Sequence, residues 1–122
     1  MSLVSKFVTW LFPSKQKGLS SVAQAFIAAE KGLGLDLRNS SSRYVVENRQ
    51  LVVNIIMLGR NITPTQLHRE LSSAGIEGVG LSRRSLSLYK NRHDEYLSKK
   101  SDDAVRYIWK YRHIAELINQ SL

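Results

Sequence analysis

Residues 61–92, NITPTQLHRELSSAGIEGVGLSRRSLSLYKNR, decide how this chain is read: they carry two short helices separated by a glycine-bearing turn. Thr63 suits the N-cap of the first, where its hydroxyl accepts a backbone N–H of the opening turn. Pro64 follows at the first helical position, where a missing N–H costs nothing. Gln66, three residues past Thr63, completes the pattern of a capping box, and Ile62 is placed to staple onto Leu67. Leu67, Leu71 and Ala74 trace a narrow apolar stripe, and Gly75 stands where a left-handed residue ends a helix. The second helix starts at Ser82, an N-cap behind the apolar Leu81. Leu86 and Tyr89 fall on one face, three apart, while Arg83, Arg84, Ser87, Lys90 and Asn91 lie mostly on the others.

That division suits a helix anchored by a few apolar residues that reads the major groove of DNA with the polar residues of its first turns. The fork of an Arg matches the O6 and N7 acceptors of guanine, so Arg83 and Arg84, with Ser87, are the expected base-reading residues. Ser82, Ser85, Lys90 and Arg92 are the expected phosphate contacts, joined by Thr63 and Arg69 from the supporting helix. The run LSRRSLSLYK resembles the recognition-helix pattern of the trihelical helix-turn-helix found in transposases, site-specific recombinases and small repressors. There an apolar residue and a Ser lead into two polar reading positions, then a buried aliphatic and a Tyr; Leu81, Ser82, Arg83, Arg84, Leu86 and Tyr89 fill those places. Ile55, Ile56 and Leu58, before Gly59, supply the first helix of the three, so the resemblance spans residues 44–92. One departure stands out. Gly75 to Leu81 is longer than the tight turn of the simplest members and carries Gly78 and Gly80, which implies another crossing angle or a loop with a separate role.

Outside this stretch the chain reads as helix. Leu3 to Leu11, LVSKFVTWL, is apolar with one Lys and is closed by Pro13. It is too short for a membrane span and lacks the cleavage site of a signal peptide. Packing on the core or on a second subunit is preferred to membrane contact by residues 3–12. Ser20 or Ser21 caps a helix through Lys31, with Val22, Ala25 and Phe26 on one side and Gly32 and Gly34 as stops. RNSSS, residues 38–42, marks the expected boundary between an N-terminal helical appendage, 1–40, and a helix-turn-helix domain with a long C-terminal helix, 41–122. Residues 44–58 suit a helix through Tyr44, Leu51, Ile55 and Leu58, or through Val45, Val52 and Ile56. Their β-branched content and polar middle, Glu47 to Gln50, also suit a hairpin. Helix is preferred, because it completes the three-helix unit. Asp102 or Asp103 opens a last helix to Asn119, with Val105, Ile108, Tyr111 or Arg112, Ala115 and Ile118 on one face, widened by Ile114 and Leu117, and with Trp109 as a second contact.

With 122 residues the chain suits one domain with an appendage, and its 18 basic against 10 acidic residues give a net charge of +8. Such a balance points to a polyanion, nucleic acid before membrane. Arg83 to Lys100 is the densest basic run, with six cations against Asp94 and Glu95. The chain has no Cys, which removes disulfides, thiolate metal sites and Cys nucleophiles and fits a cytoplasmic location. His68, His93 and His113 have no metal-ligand spacing, and no nucleotide-binding or hydrolase motif is present. Of the five tyrosines only Tyr111, beside Arg112 and His113, has neighbours that suggest attack on a phosphodiester, and no catalytic domain surrounds it.

The sequence therefore predicts an all-α protein with a helix-turn-helix core. It is expected to bind duplex DNA, as a homodimeric repressor or an accessory factor of a mobile element, with no cofactor, metal or enzymatic activity. A binder of duplex RNA, for example a small viral protein, and a helical protein-protein adaptor are the alternatives.

Overall fold

The computed structural model describes residues 20–98 and 102–121, and in them the chain is all-helical. Five α-helices follow one another: α1 Ser21–Leu33, α2 Arg43–Arg60, α3 Pro64–Ser73, α4 Arg83–Ser98 and α5 Asp102–Ser121. A single 3-10 turn, Val79–Leu81, precedes α4.

Local chemistry sets the helix ends. Ser20 caps α1 by accepting the Ala23 N–H, Ser42 caps α2 through Val45, and Thr63 with Gln66 forms the reciprocal capping box of α3. α3 ends in a Schellman motif: the Gly75 N–H reaches Ser72 O at 3.0 Å and the Ile76 N–H reaches Leu71 O at 2.8 Å, with Gly75 at φ 76°. Ile76 and Leu71 are both buried, supplying the apolar contact that accompanies this motif. α1 continues through Gly32 and stops at Gly34, whose φ is 66°, one turn-half later than its expected end at Lys31.

α2 is the central element. The stretch open between helix and hairpin is one helix, and every residue from Asn48 to Met57 is buried. A helix enclosed on all sides has no single apolar stripe, which is why two different faces both looked plausible in its sequence. α1 packs along α5 and also meets α2 and α3, while α4 rests on α2 and α3. α2 and α3, which adjoin in the expected trihelical unit, touch little; α1 lies against both of them instead.

One core joins Phe26 and Leu37 to Ile55, Leu67, Leu86 and Ile118. The expected boundary at residues 38–42 thus does not set α1 apart, because its buried face belongs to the same core as α2 and α5. The apolar segment 3–12 lies outside the described residues. The stripe expected on α5 is rotated: Tyr111, Ala115 and Ile118 are buried with Ala104, Tyr107 and Ile114, whereas Val105, Ile108 and Trp109 face outward. Among the described residues no helix is long and apolar enough to cross a membrane.

Candidate nucleic-acid interface

α4 is held from behind by apolar packing and by three polar ties. Leu81, Leu86, Tyr89 and His93 are buried. The Asn54 amide on α2 donates to Gln50 O at 2.8 Å and to Tyr89 O at 3.1 Å. Arg49, also on α2, donates to the Tyr89 hydroxyl at 3.3 Å. From α3, His68 Nδ1 meets Leu81 O at 3.0 Å. These contacts fix both the start of α4 and its rotation about its own axis.

Arg49 is the centre of this support and is only 2% exposed. Its Nε donates to Leu37 O and its Nη2 donates to Ser40 O at 2.7 Å, so the guanidinium is bonded to two backbone carbonyls and a phenol rather than to a carboxylate. Glu30 orders the same loop, receiving the Arg38 guanidinium at 2.9 Å and the Leu37 N–H at 3.3 Å. The segment Gly78–Leu81 lies over these groups: the Gly80 N–H donates to Arg38 O at 2.9 Å and the Val79 N–H to Asn39 Oδ1 at 3.1 Å. The long glycine-bearing turn is therefore a docking segment against the α1–α2 loop. A Cβ at Gly78 would overlap the Arg38 carbonyl, so the close approach requires that glycine.

The opposite side of α4 is solvated and polarised along its length. Ser82 caps the helix: its Oγ accepts the Ser85 N–H at 3.1 Å and donates to Ser85 Oγ at 3.0 Å. Arg83 and Arg84 follow as the first two helical residues, both exposed, with no carboxylate in the first turn and no ion-pair partner among the described residues. Helical spacing places Arg83, Ser87 and Lys90 along one row and Arg84, Ser87 and Asn91 along the next. Leu88, four residues beyond Arg84, is 45% exposed beside them. Lys90 is paired with Asp94 at 3.2 Å, and with Glu95 the acidic residues close the second half of this face.

The expected site residues thus divide. Arg83, Arg84, Ser87 and Lys90 share a surface. Ser82 and Ser85 are joined in the cap, and Ser85 is half buried. Thr63 Oγ1 serves the capping box of α3, and Arg69 is exposed further along that helix. Arg92 lies on the other flank of α4, lining a hollow shared with α2. Arg49 and Asn54, which place α4 together with His68, escaped the sequence reading. Gly78 and Gly80 were the available signal, since paired glycines in a short segment mark a close backbone approach.

A second polar group lies under the far half of α4. His93 Nδ1 and the Tyr107 hydroxyl are hydrogen-bonded at 2.6 Å. His93 Nε2 is buried without a partner among the described residues. Burial holds the His93 pKa below its ordinary value, outweighing Asp94, which acts the other way. Burial raises the Tyr107 and Tyr111 hydroxyls well above theirs. No protein-family model, curated protein or solved structure matches the chain.

Proposed function

We propose that the protein binds duplex DNA with sequence preference, laying the N-terminal half of α4 in the major groove, in the role of a repressor or an accessory DNA-binding factor. The observation that carries this reading is the placement of Arg83 and Arg84. Cations at the first two positions of a helix oppose its dipole, and fold stability would favour Asp or Glu there. Both are nonetheless exposed and lack an ion-pair partner among the described residues, on a helix whose back is tied down at several points. Arg forks presented on a rigid scaffold suit paired acceptors on guanine, and Leu88 beside them suits a thymine methyl.

A two-fold site is read by two such helices one DNA turn apart, so the reading includes a homodimer. Val105, Ile108 and Trp109, outward on one side of α5, are the surface that would join the copies. Selection from a random duplex pool tests the proposal: a recurring motif containing guanine, lost in Arg83→Ala and Arg84→Ala, supports it. Equal competition by duplex RNA against the best DNA site would sink it in favour of shape-based RNA binding. Sedimentation equilibrium on the protein with its selected site would show two copies per site.

A further inference from the structure

A groove separate from the reading face of α4 runs between α2, α4 and α5. It consists of two adjoining hollows of about 280 and 390 Å³ that share Arg43, Glu47, Gln50 and Tyr96. Arg106 and Lys110 of α5 line the first, and Arg92 of α4 lines the second. Four cations from three helices therefore surround one carboxylate.

That carboxylate is held loosely. Glu47 meets Arg43 at 3.5 Å and Lys110 at 3.4 Å, and all three side chains are largely exposed. Exposed pairs of this kind are weak and exchange readily for another anion. Arg92 and Arg106 have no ion-pair partner among the described residues. The wall between them is rigid: the Tyr96 and Tyr107 rings stack at 4.9 Å and 5°, and Tyr107 is anchored by His93.

We propose that this groove is a phosphate-binding site in which Glu47 occupies, from within the chain, part of the place of the ligand's charge. Guanidinium groups from separate helices suit the several oxygens of a phosphate, each fork binding two of them. The combined hollows have room for more than one phosphate group, or for a phosphate with an organic substituent against Tyr96. The phosphate comes either from a free phosphorylated small molecule or from the backbone of a bound nucleic acid. The inference does not depend on the reading of Arg83 and Arg84.

The test is titration of the full chain with inorganic phosphate and with pyrophosphate at constant ionic strength, followed by backbone amide NMR. Saturable shifts should centre on Arg43, Arg92, Tyr96 and Arg106. Arg106→Gln should weaken binding about fivefold or more, whereas Lys31→Gln, with the same change in net charge, leaves it unaltered. Glu47→Gln should tighten binding by about three- to tenfold, as expected from removing one competing charge near an exposed site. Glu77→Gln, the same charge change on a distant exposed segment, should do so much less. A second arm adds a short DNA duplex. If the duplex displaces pyrophosphate from wild type and its own affinity falls in Arg106→Gln, the nucleic-acid backbone is the source; if both bind together, a free phosphorylated ligand is. Failure of saturation, shifts spread equally over Arg83 and Arg84, or equal effects of Glu47→Gln and Glu77→Gln would each overturn the proposal.

Discussion

Gly80 lies directly against the Arg49 guanidinium, so closely that a Cβ at Gly80 would overlap the guanidinium carbon. Arg49 cannot simply move aside, because it is buried and bonded to Leu37 O, Ser40 O and the Tyr89 hydroxyl. The contact joins the α1–α2 loop, the turn before α4 and α4 itself. It turns the long glycine-bearing turn into a structural strut behind α4.

Gly80→Ala is accordingly expected to destabilise the fold by about 1–3 kcal/mol, the usual cost of overpacking a filled interior. Arg49→Met should cost about 2–4 kcal/mol, because it strands two carbonyls. In the Arg49→Met background the Gly80→Ala penalty should shrink by about 1 kcal/mol or more, since the clashing group is gone. Gly75→Ala provides the contrast. Nothing lies near a Cβ there, so its cost is the left-handed φ alone, about 1–2 kcal/mol, and the Arg49 background leaves it unchanged. Urea denaturation of the singles and doubles reads this coupling; additivity of Gly80→Ala with Arg49→Met would refute the strut.

His93 sets a pH dependence. Its folded pKa is depressed by burial, so the unfolded chain binds the proton more readily. Stability from this group is fully present above the unfolded value of about 6.5 and declines as pH falls below it, until the folded group also titrates. One such proton limits the slope to about 1.4 kcal/mol per pH unit. Denaturation curves between pH 7 and 5 should show the decline in wild type and a flatter profile in His93→Gln. An unchanged slope in the variant would assign the decline to other groups.

The legible parts of the sequence were those governed by local chemistry. Thr63, Pro64, Gln66, Gly75 and Ser82 act within a few residues of themselves, and each occupies the cap or terminus that its side chain suits. The face of α4 was legible for the same reason, since Leu86 and Tyr89 against Arg83 and Arg84 is a simple amphipathic division. α2 resisted because burial on every side erases periodicity, and its polar residues Asn48, Arg49 and Gln50, which left a hairpin open, are all three buried. Asn48 bonds within the helix to Tyr44 O, but the partners of Arg49 lie on other elements, from Leu37 to Tyr89, and no local pattern encodes such distances. The α5 face was misjudged by part of a turn because Val105, Ile108 and Trp109 are as apolar as the residues that are buried. Only docking on α1 and α2 selects between the two faces.

Lys90 differs from the arginines in having an internal partner, Asp94, at 3.2 Å. If it contacts a phosphate, Lys90→Ala should make the log–log salt dependence of duplex binding shallower by about 0.9, on preferred and random sequences alike. Asp94→Asn releases the ammonium and should strengthen binding to any duplex without changing the preferred motif. Fluorescence anisotropy across a salt series measures both. A Lys90→Ala effect confined to the preferred site would mean that this residue reads a base.

Arg84→Glu separates folding from function most sharply. At the second position of α4 a carboxylate suits the helix dipole better than a guanidinium, so the variant should be more stable than wild type by about 0.3–1 kcal/mol at low salt. On the proposed reading, the same change removes a fork and brings a negative charge against the DNA backbone. Affinity for the preferred duplex should therefore fall by more than the roughly 1–3 kcal/mol expected of Arg84→Ala. High salt should reduce the gain in stability, because the dipole effect is screened. Thermal melts and binding isotherms on one preparation give both numbers. A less stable variant would show that Arg84 supports the fold, and a stable variant with intact DNA affinity would remove α4 from the interface. Gain in one measurement with loss in the other is the signature of a residue kept for binding at the expense of the helix that carries it.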